Sequence, residues 1–390
     1  METTAALSFD APAASWTAVL DVCRSVAHNG GRAHLVGGSV RDALLGKPVH
    51  DFDIEVFGIE PADLEALLRQ NYGVDLVGEA FGVLKLRGLP IDVAMPRRES
   101  KSGQGHRGFH VLSDPAMSFA EAAARRDFTI NAIAWEPLRD ELVDPFGGAA
   151  DLQRRRLRHT SARFVEDPLR VLRGMQLVAR FDLTPAPETV ALARTIGFED
   201  LPVERVFEEW RKLLLQGARP SSGLRFLRAA GWLRFFPELE LLVGCPQDPR
   251  WHPEGCVWRH TLHVLDAFAS ERSGEPADDL AVGLACLCHD LGKPSTTRWS
   301  EDRWRSLGHE EAGEAPTRAL LARLGVPPRV VDDVARPALA VFTMNDDRRA
   351  MPWLDGREHA ASGNTAERHF ARCGLDEQAG RPRSAGQSRE

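Results

Sequence analysis

At 390 residues the chain is too long for one ordinary domain, and two or three are expected. Its 43% hydrophobic and 27% charged residues describe a chain that can bury a sizeable core, and no apolar run approaches the ~18 residues of a membrane span. The net charge of −7, taken as a total, argues against a nucleic-acid partner.

A helix is expected near residues 15–28, followed by a short strand at His34–Val36. A second strand fits Phe52–Phe57, bounded by Gly58 and Pro61, with a helix from Ala62 to Gln70. Leu76–Val77, Val83–Leu86 and Ile91–Ala94 read as further strands, short, β-branched and separated by Gly or Pro. Helical periodicity takes over near residue 118 and runs to about 335. The pattern is α+β: a small mixed head followed by an all-helical body. Beyond Met351 the chain is polar and without period, so a disordered or truncated tail is expected.

Charge is unevenly spread. Residues 1–150 carry 14 basic and 21 acidic groups (−7), whereas 151–235 carry 16 and 10 (+6), so the one strongly basic block lies in the helical middle. Only five of the 49 basic residues are lysine, and arginine suits bidentate contacts with phosphates and base edges. Six cysteines without a Cys-x-x-Cys pair read as reduced thiols. The segment Met1–Trp16 has neither the basic nor the apolar region of a leader, so a cytoplasmic location is expected.

Leu35-Val-Gly37-Gly38-Ser-Val-Arg41-Asp42 places two glycines between a strand and a helix, a turn whose backbone N–H groups can approach a phosphate. Asp51-Phe-Asp53 opens the next strand. Alternation puts both carboxylates on one face and turns Phe52 the other way. Asp92 is a third acid on a later strand. Acids held side by side repel unless a cation lies between them, and Mg²⁺ favours one or two carboxylates together with substrate phosphates.

Gly37–Asp42 with Asp51-Phe-Asp53 resembles the signature of polymerase-β-type nucleotidyltransferases. The fuller set resembles the class II tRNA nucleotidyltransferases (CCA-adding enzymes) and the related bacterial poly(A) polymerases. Arg125-Arg-Asp-Phe-Thr-Ile-Asn-Ala132 is similar to the ribose- and NTP-binding motif, and Glu166-Asp-Pro-Leu-Arg-Val-Leu-Arg173 to the base-reading helix. Glu204–Lys212 is similar to the motif that braces that helix. The resemblance implies two Mg²⁺ ions on Asp51 and Asp53, with Asp92 orienting or deprotonating the primer 3′-hydroxyl for in-line attack on the α-phosphorus. It further implies nucleotide contacts from Gly37, Gly38, Arg41, Arg126, Asp127 and Asn131, with Asn131 expected on the same helix as Arg126. Along the helix capped by Asp167, the groups Glu166, Asp167, Arg170 and Arg173 would read the base; their spacing also suits a surface ion-pair ladder. A fixed carboxylate beside a guanidinium matches the amino donor and ring-nitrogen acceptor of cytosine and adenine, and opposes guanine and uracil. Gln176 stands where related chains often repeat an arginine, which weakens a phosphate or base contact there.

His260-Thr-Leu-His263, Leu287-Cys-His289-Asp290-Leu-Gly-Lys293 and His309 resemble an HD domain. Such domains imply a metal, Ni²⁺ or Mn²⁺, held by His260, His289, Asp290 and His309 for phosphate-ester hydrolysis. Thr343 stands where related chains carry another His, and a final carboxylate would come from Asp332, Asp333 or Asp346. Cys286 and Cys288, two apart on a helix, read as packing residues.

The expected layout is an N-terminal helix (1–30), a nucleotidyltransferase head (31–155), a helical neck and RNA-binding region (156–245), an HD-like domain (246–345) and the tail (346–390). The expected function is template-independent addition of CMP and AMP, from CTP and ATP, to the 3′ end of tRNA. The alternatives are a poly(A) polymerase or a partial enzyme that adds only C or only A, and an HD phosphohydrolase with an inactive head; the expected partner is tRNA or another RNA 3′ end. No membrane partner is expected.

Overall fold

The computed structural model describes residues 7–77, 82–101, 109–199, 201–332 and 334. The chain divides into two compact units, 1–202 and 203–390; the division falls inside the 156–245 span read from the sequence as one neck.

The first unit begins with α1 (Ala13–His28), β1 (Arg32–Val36), α2 (Gly38–Leu44), β2 (Phe52–Phe57), α3 (Pro61–Arg69), β3 (Val74–Val77), β4 (Val83–Leu86) and β5 (Ile91–Ala94). It continues with β6 (Arg97–Lys101), β7 (Phe109–Ser113), α4 (Phe119–Ala123), β8 (Ala134–Glu136), β9 (Glu141–Val143) and α5 (Gly148–Gln153). After β10 (Arg156–Leu157) come α6 (Leu169–Phe181), β11 (Thr184–Pro185) and α7 (Pro187–Arg194). Seven strands form one mixed sheet in the order β3-β4-β5-β2-β1-β8-β9. β1 runs antiparallel to β2 and β8, whereas β2 and β5 are parallel. The core joins α1 (Val19, Val22, Val26) to the strand residues Leu35, Phe52, Ile54 and Val93. Burying α1's apolar face on the sheet is worth roughly 2 kcal/mol for each large aliphatic side chain.

The expected strands at 52–57, 83–86 and 91–94 coincide with β2, β4 and β5. Helix dominates from residue 118, as expected, but short strands interrupt it. β8 and β9 extend the head's sheet, and three-residue strands are too short to give a period-2 signal. Asn131 lies in a 3-10 turn, Thr129–Asn131, not on a helix shared with Arg126; α4 has already ended at Ala123, after a Ser118–Glu121 capping box.

The second unit comprises α8 (Val203–Gln216), α9 (Pro220–Ala229), α10 (Pro237–Glu240), α11 (Val257–Ser270) and α12 (Pro276–Cys288). Then follow α13 (Lys293–Thr296), β12 (Arg298–Ser300), β13 (Arg303–Arg305), α14 (His309–Ala312) and α15 (Glu314–Leu324). Proline opens α9, α10 and α12, where its missing N–H costs nothing. Trp210, Phe226, Trp232, Phe236, Leu265 and Leu284 are fully buried. The β12–β13 hairpin interrupts the body expected to be all-helical. The 346–390 tail, with Thr343, Asp333 and Asp346, lies outside the described residues. Among the described residues no helix is long and apolar enough to cross a membrane.

Candidate active site and metal cluster

In the head, parallel pairing of β2 with β5 sets Asp53 directly beside Asp92. In-register residues on neighbouring strands project to one face, and Asp51, just before β2, is near enough to Asp53 to act on it by like charge. Phe52, on the opposite face, is 1% exposed, which fixes this register against slippage. Gly37 closes the turn between β1 and α2 at φ +74°, a conformation that favours glycine. A Cβ there would lie 3.4 Å from Asp53 Oδ2 and 3.3 Å from Arg126 Nη1, so the backbone comes close to both charges.

Asp53 keeps solvent access, yet the protein crowding around it raises its pKa. Arg126 opposes that rise, while Asp92 and Asp51 add to it through like charge. Lys85 Nζ lies 3.0 Å from Asp92 Oδ2. Glu55, buried and of the same strand parity as Asp53, takes Arg126 Nη2 at 3.2 Å and has Arg125 Nη2 at 4.0 Å. The three carboxylates are hard oxygen donors, as a divalent ion requires. Their ligand atoms do not all converge within 4.8 Å of one another.

Sequence reading missed Glu55 and Lys85 as members of this site. The signal for Glu55 was its parity with Asp51 and Asp53. Lys85 had no local signal, because antiparallel pairing of β4 with β5 places it opposite Asp92.

A polar chain with buried members also runs through the first unit. Arg41, 6% exposed, donates from Nη1 to Asn131 Oδ1 (2.7 Å) and from Nε to Asp42 Oδ1 (2.9 Å). Its guanidinium also lies 4.5 Å from the Phe181 ring centroid. Asn131 Nδ2 donates to Asp127 Oδ1 (3.1 Å), and Arg173 Nε donates to Asp127 Oδ2 (2.6 Å). Burial alone would raise the Asp127 pKa, but the charge and hydrogen bond of Arg173, with donors from Asn131 and the Phe128 N–H, hold it below the usual carboxylate range. The glycine turn, the 3-10 turn and α6 are thus tied together through Arg41, Asn131, Asp127 and Arg173.

Asp167 Oδ1 accepts from the Leu169 N–H at 3.0 Å, the capping role its position before Pro168 suggested. Glu166 ends a preceding 3-10 segment and is exposed. Arg170 does not join a ladder with these acids; its Nη1 and Nη2 donate to the backbone carbonyls of Arg163 and Arg125, each at 2.6 Å. Gln176 is 4% exposed and accepts from Arg180 Nη1 at 3.2 Å.

In the second unit, His260, His289 and Asp290 bring one ligand atom each within 4.8 Å of the others, all three residues being buried. His260 comes from α11, whereas His289 and Asp290 follow α12 directly. Asp290 Oδ2 is 3.2 Å from His289 Nε2 and 2.9 Å from Lys293 Nζ, and Oδ1 is 3.8 Å from His309 Nε2. Gly292 lets α14 approach: a Cβ there would sit 1.9 Å from the His309 carbonyl oxygen. Burial works against the Asp290 carboxylate, but His289 and Lys293 hold its pKa well below the ordinary value. Burial lowers the His260 pKa, which favours the neutral ring that a metal needs. Neither Asp290 oxygen accepts a well-formed hydrogen bond among the described residues, as befits a donor set that fits a cation.

Asp332 is drawn elsewhere, to Arg318 Nη1 at 3.1 Å. Cys286 and Cys288 are buried, and burial pushes both thiols well up, that of Cys286 to about 12, so they are packing residues.

Residues 33–158 match the family described as the poly A polymerase head domain, and residues 183–242 the probable RNA and SrmB-binding site of polymerase A. The chain is 43% identical over 331 residues to the multifunctional CCA protein of Stenotrophomonas maltophilia (strain R551-3), covering 82% of this chain and 78% of that one. Among solved structures, an apo form of a tRNA-processing enzyme aligns with TM-score 0.57 at 25% identity over 87% of this chain and 82% of the other. A tRNA-processing enzyme with CTP aligns with TM-score 0.53 at 25% identity over 84% and 80%. With the Asp53–Asp92 register, the Gly37 turn and the Asp127-anchored helix in place, this chain belongs to the family of multifunctional CCA proteins.

Proposed function

We propose that the chain is a tRNA nucleotidyltransferase that adds CMP and AMP, from CTP and ATP, to the tRNA 3′ end, in the cytoplasm. The observation that carries this reading is the side-by-side register of Asp53 and Asp92 next to the Gly37 turn, in a chain 43% identical to a multifunctional CCA protein. Asp51 and Asp53 would hold Mg²⁺, two ions at this face, whose chemistry is to neutralise the triphosphate and activate the attacking hydroxyl. Asp92, with its charge tempered by Lys85, orients the primer 3′-hydroxyl and accepts its proton. Arg126, held by Glu55, presents its guanidinium to the triphosphate. The backbone at Gly37 and Gly38 approaches the phosphates from the start of α2.

Arg41, Asp127 and Asn131 hold the nucleotide pocket in shape through their mutual hydrogen bonds, and Asn131 adds the sugar contact. Just before α6 the acids Glu166 and Asp167, with Arg170 and Arg173 on the helix, would present the acceptor and donor edges that match C and A. Each bidentate match discriminates by roughly 1–3 kcal/mol. Gln176, committed to Arg180, steadies this helix. The reading is tested by supplying tRNA that lacks its 3′ terminus with each labelled NTP separately. Incorporation of CTP and ATP, with GTP and UTP refused, is expected; no incorporation of either would refute it.

A second reading, for the second unit, rests on the convergence of His260, His289 and Asp290. With His309 these residues would hold Ni²⁺ or Mn²⁺, which would polarise a phosphate ester, and Lys293 beside Asp290 would steady the bound phosphate. Metal-dependent hydrolysis of 2′,3′-cyclic nucleotides, lost in His289→Ala, tests it; hydrolysis surviving that substitution would contradict it.

A further inference from the structure

Glu254, in the loop before α11 and given no role by the sequence reading, meets the buried cluster through His260. Its Oε1 lies 2.8 Å from His260 Nδ1 and 3.1 Å from His252 Nδ1. The His252 and His260 rings meet edge-on with centroids 4.7 Å apart, and those of His260 and His289 lie 5.3 Å apart. His260 therefore spans the space between a carboxylate and the cluster.

An imidazole carries two nitrogens with opposite roles, and the acceptor at one decides which lone pair is offered by the other. His289 Nδ1 lies 2.7 Å from the Cys286 carbonyl oxygen, and His309 Nδ1 lies 2.8 Å from that of Ser306. An acceptor at Nδ1 fixes the Nδ1–H tautomer and leaves Nε2 as the lone-pair donor. All three cluster histidines are pinned in this sense. His260 is pinned by a carboxylate, which polarises the ring more strongly than a carbonyl and makes it a better ligand; His309 Nδ1 also has the Glu310 carboxylate at 3.3 Å.

His252, Glu254 and His260 also bring ligand atoms within 4.8 Å of one another, so they could be read as a cation site of their own. That use competes with the first. A neutral His260 has one lone pair on its ring nitrogens, and serving an ion at Nδ1 while serving the cluster at Nε2 would strip its last proton. Two Nδ1 atoms at hydrogen-bond distance from one carboxylate oxygen favour the donor role for both rings.

We propose that Glu254 is a positioning residue that locks His260 as its Nδ1–H tautomer, with His252 as the second donor holding the carboxylate, so that this region binds one divalent ion, at His260, His289 and Asp290. The proposal rests on the metal-centre reading given above. Losing such an outer carboxylate weakens metal binding by about ten- to a hundredfold.

The test is equilibrium binding of Ni²⁺ to the full chain, with ion count per chain, for wild type, Glu254→Leu, Glu254→Gln, Glu254→Asp and His289→Ala. Glu254→Leu should lose roughly ten- to a hundredfold in affinity at this site, Glu254→Gln less because its amide oxygen still accepts, and Glu254→Asp should recover part of the loss. Long-range ¹H–¹⁵N spectra should show His260 as the Nδ1–H tautomer in wild type and a mixed population in Glu254→Leu. These spectra read the tautomer without metal, and if Glu254→Leu does not fold, they and Glu254→Gln still decide. Unchanged affinity and tautomer in the Glu254 variants would overturn the positioning role. Two ions near this cluster, one of them lost with Glu254, would overturn it in favour of a second cation site. Binding that His289→Ala leaves untouched would instead refute the metal-centre reading itself.

Discussion

The head's carboxylate face and the second unit's histidine cluster gather ionisable groups in opposite ways. In the head, Asp53 and Asp92 are adjacent by strand register and remain accessible, with Lys85 and Arg126 as nearby cations. Their oxygens are not gathered to a point. In the second unit the ligand atoms of His260, His289 and Asp290 are buried and converge within 4.8 Å, and each imidazole Nδ1 faces an oxygen. The head is a face that incoming metal and triphosphate would complete; the cluster is organised in advance. Open carboxylates suit an NTP that brings its own negative charge and ions, whereas a closed nitrogen-rich set suits a resident metal.

The largest effect that would break this contrast belongs to Asp53. Asp53→Ala should lower incorporation by roughly 10²–10³-fold or more, the scale of losing one positioned charged group at a reacting centre, and thermal melting should change little because the residue is accessible. Wild-type incorporation in this variant would remove the head's carboxylates from the chemistry.

Next comes the polar chain of the first unit. Removing Arg173 leaves the buried Asp127 carboxylate without its charged donor, so Arg173→Ala should cost roughly 1–3 kcal/mol, read by denaturant unfolding. Asp127 has a depressed pKa in the folded state, so its stabilisation is complete at neutral pH and fades as pH falls through the ordinary carboxylate range toward its own lower pKa. Asp127→Asn should flatten the stability profile over that acidic stretch; an unaltered profile would show the pair to be idle.

His34 supplies a comparable effect confined to mild acid. Burial, with Arg32 nearby, lowers its pKa from 6.5 to about 4, so the folded protein keeps it neutral while the unfolded chain takes up a proton. Stability is therefore lost as pH falls from 6.5 toward 4, by ~3 kcal/mol at most at one pKa unit per ~1.4 kcal/mol. His34→Phe, which can keep the ring contacts with Phe57 and Phe119, should abolish that slope in melts taken across the interval.

The smallest effect sharpens the role of the head's counter-ions. The Lys85–Asp92 pair is half exposed and should add less than ~1 kcal/mol to stability. Lys85→Met should leave melting nearly unchanged while altering incorporation several-fold. A large loss of stability with normal activity would make the pair structural.

These expectations also mark what could be read from sequence. Asp51, Asp53 and Asp92 were legible because strand alternation is local, and the bounds of β2, β4 and β5 follow from β-branched runs between Gly and Pro. The link from Arg41 through Asn131 and Asp127 to Arg173 was not legible, since it joins residues up to 90 apart that share no periodicity. The spacing of Glu166, Asp167, Arg170 and Arg173 suggested an ion-pair ladder, but Arg170 turned to backbone carbonyls that no local pattern encodes. Glu254 went unnoticed for the same reason: it sits in an irregular loop, and only the fold brings it to His260.

The most direct test of the two-site account is to give wild type, Asp53→Ala and His289→Ala the same tRNA lacking its 3′ terminus, with labelled CTP and ATP. The account predicts addition of C and A by wild type and by His289→Ala, and none by Asp53→Ala. Addition that survives in Asp53→Ala, or that needs His289 as much as Asp53, would contradict it.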